Sequence, residues 1–246
     1  MLPVIWKKKK TLRLKNYKYP SLEESIKNDV NVYERFDFEY TSILESTIYK
    51  ELSIEKGYNL ENLYHWNIVF SNKLGKLTQT HLFLKTHFKR GFNEDYLKCN
   101  EVELADRALF DYYIEIFYYY YFSAIEILAK IIALYFEIEF KNEESSSFNK
   151  NLIEKINQPE IKQRLSEFNK SIFETKEIRN KFTHRFPVNE KDFRLEKTET
   201  DSISKGFGKI IKTEEIYNNI ESLSKLLQLL IIDLKLFFDN NKKNNR

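Results

Sequence analysis

Along most of this chain, apolar residues recur at steps of three and four, the spacing that gathers them on one face of an α-helix. The cleanest run is Ile216, Ile220, Leu223, Leu227, Leu230, Leu234 and Phe237, a seam suited to a bundle core or to a second subunit. Thr213, followed by Glu214 and Glu215, is the expected N-cap of that helix, its acidic first turn suiting the positive end of the dipole. Ile161, Leu165, Phe168, Ile172, Ile178, Phe182 and Phe186 form another run. Asn157, Pro159 and Glu160 open it, and a break is expected near Ser171. Pro187 closes it, because the residue before a proline is driven out of the α region.

From about Glu101 to Glu139 the chain is apolar almost all the way round a helix and contains Tyr118–Tyr121, which places the segment in the middle of a bundle. Asp111, Glu115, Glu126, Lys130 and Glu137 interrupt it too often for a membrane span. Glu126 and Lys130, four apart, are expected to pair at the surface.

The first twenty residues show no helical period and read as an extended arm. Ser21 and Glu24 have the spacing of a capping box. A helix from near Asp37 to Lys56 is expected to stop at Gly57, and the next from about Asn59 towards His87, with Gly91 after it. Between Val188 and Lys212 the period is lost, and Phe193–Lys197 and Lys209–Lys212 are candidates for a short hairpin around Gly206 and Gly208. The predicted fold is therefore all-α: a multi-helix bundle over residues 95–240, with an N-terminal arm and helical extension over 1–94, a hairpin insertion, and a polar tail over 241–246.

Composition supports this reading. Only 5 Gly and 4 Pro occur in 246 residues, too few turn formers for an ordinary β or mixed domain. The 42% hydrophobic content supplies a core. A net charge of +3 is not the strongly basic balance of a general nucleic-acid binder, and the run Lys7–Lys10 reads as a solvated stretch. Cys99 has no partner for an intramolecular disulfide or a cysteine-based zinc site, and no signal peptide is evident, so a reducing, cytoplasmic setting is expected. His65, His81 and His87 lack the spacing of metal ligands and are expected at the surface or boundary. Gly206–Lys209 lacks the spacing of a phosphate loop. The tyrosine run, on a central helix, is expected to serve packing rather than base stacking. Neither a metal nor a cofactor is implied.

The candidate chemistry lies at Arg179, Asn180 and His184, with Lys181 and Arg185 beside them as supporting residues. Metal-independent RNA cleavage needs a group to take the proton of a ribose 2′-hydroxyl, one to hold the phosphate and one to stabilise charge developing on it. Histidine exchanges protons near neutral pH, arginine presents a charged planar fork of donors, and Asn180 can position substrate or imidazole. Asn180 and His184 share a helix face, but Arg179 and His184 are about 140° apart. Side-chain length, unwinding near Pro187, or pairing with a symmetric copy would each bring them together. The helix C-terminus favours a protonated imidazole, a general acid, without deciding which group is the base.

The Arg179, Asn180, three intervening residues, His184 pattern follows a long helix containing Ser123–Leu128, and this arrangement resembles the HEPN superfamily. The resemblance covers about Asp95 to Asp239. It implies a homodimeric, metal-independent endoribonuclease leaving a cyclic phosphate, in a toxin–antitoxin or antiphage context, with RNA as substrate and an antitoxin or defence-system protein as partner. It also implies catalytic roles for Arg179 and His184, support from Asn180, and a weaker candidate in Glu126. Some members do not cleave RNA, so a non-catalytic RNA- or nucleotide-binding or protein-interaction module stays open.

Overall fold

The computed structural model describes residues 17–48, 53–139, 147–184, 189, 195–197, 203–205 and 211–244. Its elements in chain order are α1 (Leu22–Ile26), α2 (Ile43–Ile48), α3 (Ile54–Arg90), α4 (Glu101–Tyr135), α5 (Lys150–Glu154), α6 (Pro159–Ser171), α7 (Phe173–His184), β1 (Leu195–Lys197), β2 (Ile203–Lys205) and α8 (Thr213–Asn244). The fold is an all-α bundle carrying one small hairpin.

Local chemistry sets the ends of the long helices. Ser53 caps α3 by accepting from the Lys56 N–H at 3.2 Å, and Gly91, at φ 78°, ends it in a conformation that other residues rarely adopt. Asn100 and Glu103 form a reciprocal capping box at the start of α4. Past its other end Glu137 takes φ 52°, and the Ile138 N–H returns to the Ala133 carbonyl at 2.8 Å, closing off the last turn. Pro159 opens α6, and buried Ile172 marks the break before α7.

α3 and α4 run antiparallel along most of their lengths: Trp66 lies beside Lys130, Lys73 beside Tyr120, and Phe83 beside Tyr113. α4 is the centre of the core, with Phe110, Ile114, Phe117, Tyr121, Leu128 and Ile131 buried. It is long and apolar enough to cross a membrane by length and composition, but 67% of its most apolar window is buried inside the protein. The α8 stripe from Ile216 to Leu234 is buried in this same core, so it is not a free seam for a second subunit. At its end Phe238 takes the buried position and Phe237 only half-buries.

Several sequence expectations change. Gly57 is not a stop signal; it is buried in the first turn of α3, because Ser53 starts that helix earlier. Residues 29–42, expected to be partly helical, contain no helix. Instead Tyr33 and Phe36 enter the core, where Phe36 stacks on Phe70 and meets the edge of Phe238. Asn31 and Tyr33 both reach the buried Ser224 hydroxyl of α8, at 3.1 and 2.8 Å. The hairpin forms, but β1 pairs with Ile203–Lys205 rather than with 209–212; Gly206–Ile210 lie outside the described residues. α8 begins at Thr213, where Glu94 rather than the threonine supplies the cap: its carboxylate accepts from the Thr213 N–H at 3.2 Å and hydroxyl at 2.9 Å. α8 also continues past Asn240 to Asn244.

Candidate functional site

α7 packs antiparallel on α4 through successive turns. Phe182 stacks on Tyr118 with ring centroids 5.6 Å apart. One turn back, the Arg179 guanidinium carbon lies 5.2 Å from the Phe122 ring centroid, a cation–π contact that holds the arginine against α4. Arg179 and Asn180 are half-buried, whereas Lys181 is exposed.

A further turn back, Lys176 donates to Asn169 Oδ1 at 3.1 Å. Burial lowers its pKa, the nearby Arg179 charge adds to that, and Glu126 opposes it. Glu126 itself is exposed on α4 and accepts from the Phe148 N–H at 3.1 Å. The seam therefore gathers Lys176, Arg179 and Glu126, two cations with one carboxylate. The expected Glu126–Lys130 pair gives way to other contacts: Lys130 Nζ lies 4.2 Å from the Trp66 ring centroid. The step of four through Tyr118, Phe122 and Glu126 is the sequence signal for this α7-facing line. Within an otherwise apolar helix it does not stand out, so the sequence alone does not mark Phe122 or its neighbour Lys176.

His184 is the last residue of α7. Its side chain and the whole of Arg185 lie outside what the structure describes. The unbroken helix from Arg179 to His184 keeps the two positions about 140° apart around the axis, so no unwinding brings them together before the helix ends.

The other histidines differ from expectation. His65 is exposed, but His81 and His87 are buried, each beside a carboxylate far away in sequence. His87 Nδ1 lies 2.7 Å from Asp106 Oδ1, which also accepts from the Tyr17 hydroxyl at 2.7 Å, and burial lowers the His87 pKa. His81 Nε2 lies 3.2 Å from Glu221 Oε1, which also receives Tyr217 and Lys85. Both clusters tie α3 to its neighbours. Among the described residues no group of three or more His, Cys, Asp or Glu side chains is arranged to hold a metal ion.

The family model for Cthe2314-like HEPN proteins matches residues 66–242, from within α3 to near the end of α8. The chain belongs to the HEPN superfamily. No curated protein and no solved structure matches it. The matched stretch contains α4, α7 and the complete Arg179–His184 run of this HEPN domain, and it associates the chain with nucleotide- or RNA-related function.

Proposed function

We propose that this HEPN protein is a metal-independent endoribonuclease working as a homodimer. The observation that carries the reading is the Arg179–Asn180–His184 run at the C-terminal end of α7, inside the family-matched stretch. In the proposed reaction a ribose 2′-oxygen attacks the adjacent phosphorus and the P–O5′ bond breaks. The products are a 2′,3′-cyclic phosphate and a 5′-hydroxyl. Arg179 holds the non-bridging oxygens while charge builds on them, its guanidinium fixed in advance by Phe122. His184, favoured as imidazolium by the helix C-terminus, protonates the leaving oxygen. Asn180 orients substrate or imidazole, and Lys181 and Arg185 add positive charge for the phosphates on either side.

A twofold copy of α7 would supply the second imidazole, to accept the 2′-hydroxyl proton, and would remove the 140° problem within one helix. A cytoplasmic toxin or antiphage role, restrained by an antitoxin or defence-system partner, accords with that activity.

The experiment is cleavage of cellular RNA in excess EDTA, with mapping of the new ends. Cutting to cyclic-phosphate ends is expected. It should be lost for Arg179→Ala and His184→Ala, and for RNA carrying a 2′-deoxyribose at the cut position. Removing one such charge-stabilising donor typically costs about 10²–10³-fold. Normal cutting by both variants would overturn the proposal, and binding without turnover would favour a non-catalytic RNA- or nucleotide-binding module.

A further inference from the structure

The four tyrosines in a row on α4 have separate environments. Tyr118 and Tyr121 are buried and Tyr120 is half-buried, but Tyr119 is 57% exposed. Tyr112, two turns earlier on the same face, is 58% exposed. At 1.5 Å per residue the two open rings stand about 10 Å apart along the helix. An aromatic ring left open on the central helix of a bundle forgoes the area it would otherwise bury.

The flanks give this face a definite chemistry. On the α3 side, Lys73 Nζ lies 5.4 Å from the centroids of both Tyr119 and Tyr120, and Lys76 Nζ lies 5.9 Å from that of Tyr120. On the α7 side stands Arg179 over Phe122, three residues beyond Tyr119 on α4. The outward face of α4 is thus a shallow track of aromatic rings with lysines on one edge and the candidate phosphate-holding arginine on the other. Glu115 and Glu126 are exposed on that outward face as well, which assigns phosphates to the lysine edge and uncharged groups to the rings.

We propose that this track binds single-stranded RNA, with bases stacked on Tyr119 and Tyr112 and phosphates on Lys73 and Lys76, and leads the strand to Arg179. Stacking on open rings together with a basic edge is how sequence-tolerant single-strand binders grip their ligand, and a duplex cannot offer its base faces to such rings. A second copy of the chain is a poorer occupant, because lysine is depleted in subunit interfaces. The inference rests on the ribonuclease reading only for the strand's destination; binding is measured without cleavage.

The test is fluorescence anisotropy of the full chain with a 12-nucleotide 2′-O-methyl RNA, which cannot be cut by 2′-attack, against a duplex of the same length. Single-strand binding is expected, weakened about tenfold by Tyr119→Ala and retained by Tyr119→Trp. Lys73→Ala with Lys76→Ala should lower affinity and flatten its salt dependence by roughly 0.7 per lost phosphate contact. The proposal is overturned if the parent chain does not bind the single strand, if it prefers the duplex, or if Tyr119→Ala binds unchanged. It is equally overturned if the loss coincides with a changed mass in light scattering, which would make a second copy the occupant. Cleavage scored in parallel separates the two readings. A parent that binds the single strand but cuts no RNA removes the nuclease reading and leaves the track, whereas a parent that cuts and a Tyr119→Ala with unchanged KM does the reverse.

Discussion

Phe182 lies flat against Tyr118, 5.6 Å between centroids and 24° between planes, and this pair sets the register of α7 two residues before His184. Tyr118 is held in turn, its hydroxyl donating to Asn219 of α8 at 2.9 Å. The end of α7 is thereby referenced to two core helices. Phe182→Ala should cost about 2–3 kcal/mol, less than the ~3–5 of a fully buried phenylalanine. It should also reduce RNA cleavage more than it reduces folded protein at the assay temperature. Thermal melts beside initial rates test this; an unchanged rate would detach catalysis from that register.

Arg179→Lys separates charge from shape. Lysine keeps the cation but lacks the planar fork that can face Phe122 and two phosphate oxygens together. Cleavage should stay well below the parent rate, with a circular dichroism spectrum like the parent's. Full activity in the lysine variant would mean that a point charge suffices.

Glu221 should make the fold acid-sensitive. Its burial disfavours ionisation, but hydrogen bonds from His81, Tyr217 and Lys85 outweigh this and hold its pKa at about 2, below the ordinary 4.5. A carboxylate with a lowered folded-state pKa contributes stability above its unfolded value, and that contribution is lost as pH falls from about 4.5 to about 2. With partial exposure discounted, it amounts to about 2 kcal/mol at neutral pH. Glu221→Gln should therefore melt lower at pH 7 and lose less stability than the parent between pH 5 and pH 2. Parallel pH profiles for the two proteins would count against this account.

Glu94 tests the borrowed cap of α8. Glu94→Ala removes both acceptors at Thr213 and the ion pair to buried Arg107, 3.2 Å away. The expected loss is about 1 kcal/mol, or a Tm lower by about 2–4 °C. Thr213→Val should show a comparable loss if the hydroxyl is the link, since Arg107 also donates to it at 2.6 Å.

Sequence periodicity read the architecture well where helices bury one continuous stripe, as in α8 and α4, because spacing alone then decides which face is inside. It failed where a residue's role depends on a distant partner. Gly57 resembles a helix terminator until Ser53 is seen to start the helix before it. Nothing near His81 or His87 in sequence announces Glu221 or Asp106, 140 and 19 residues away. Tyr33 and Phe36 sit in no helical pattern, so their burial in the core could not be read from spacing. At the candidate site, the order Arg179, Asn180, His184 was legible as the pattern by which the chain resembles its family. The Phe122 support beneath the arginine was not, since it faces α7 from one line of an almost uniformly apolar helix.

The meeting of Tyr33 with Ser224, 191 residues apart, bears on when the molecule can close its core. Translation delivers Tyr33 and Phe36 early, but the α8 side chains that receive them emerge only after the Arg179–His184 stretch has been made. A nascent chain interrupted before Phe238 carries the Arg179–His184 stretch on an unclosed core. Contacts of such long sequence separation also form slowly. Closure of the core therefore waits on the last long helix, and the Arg179–His184 stretch gains its finished surroundings only once the polypeptide has been synthesised through that point.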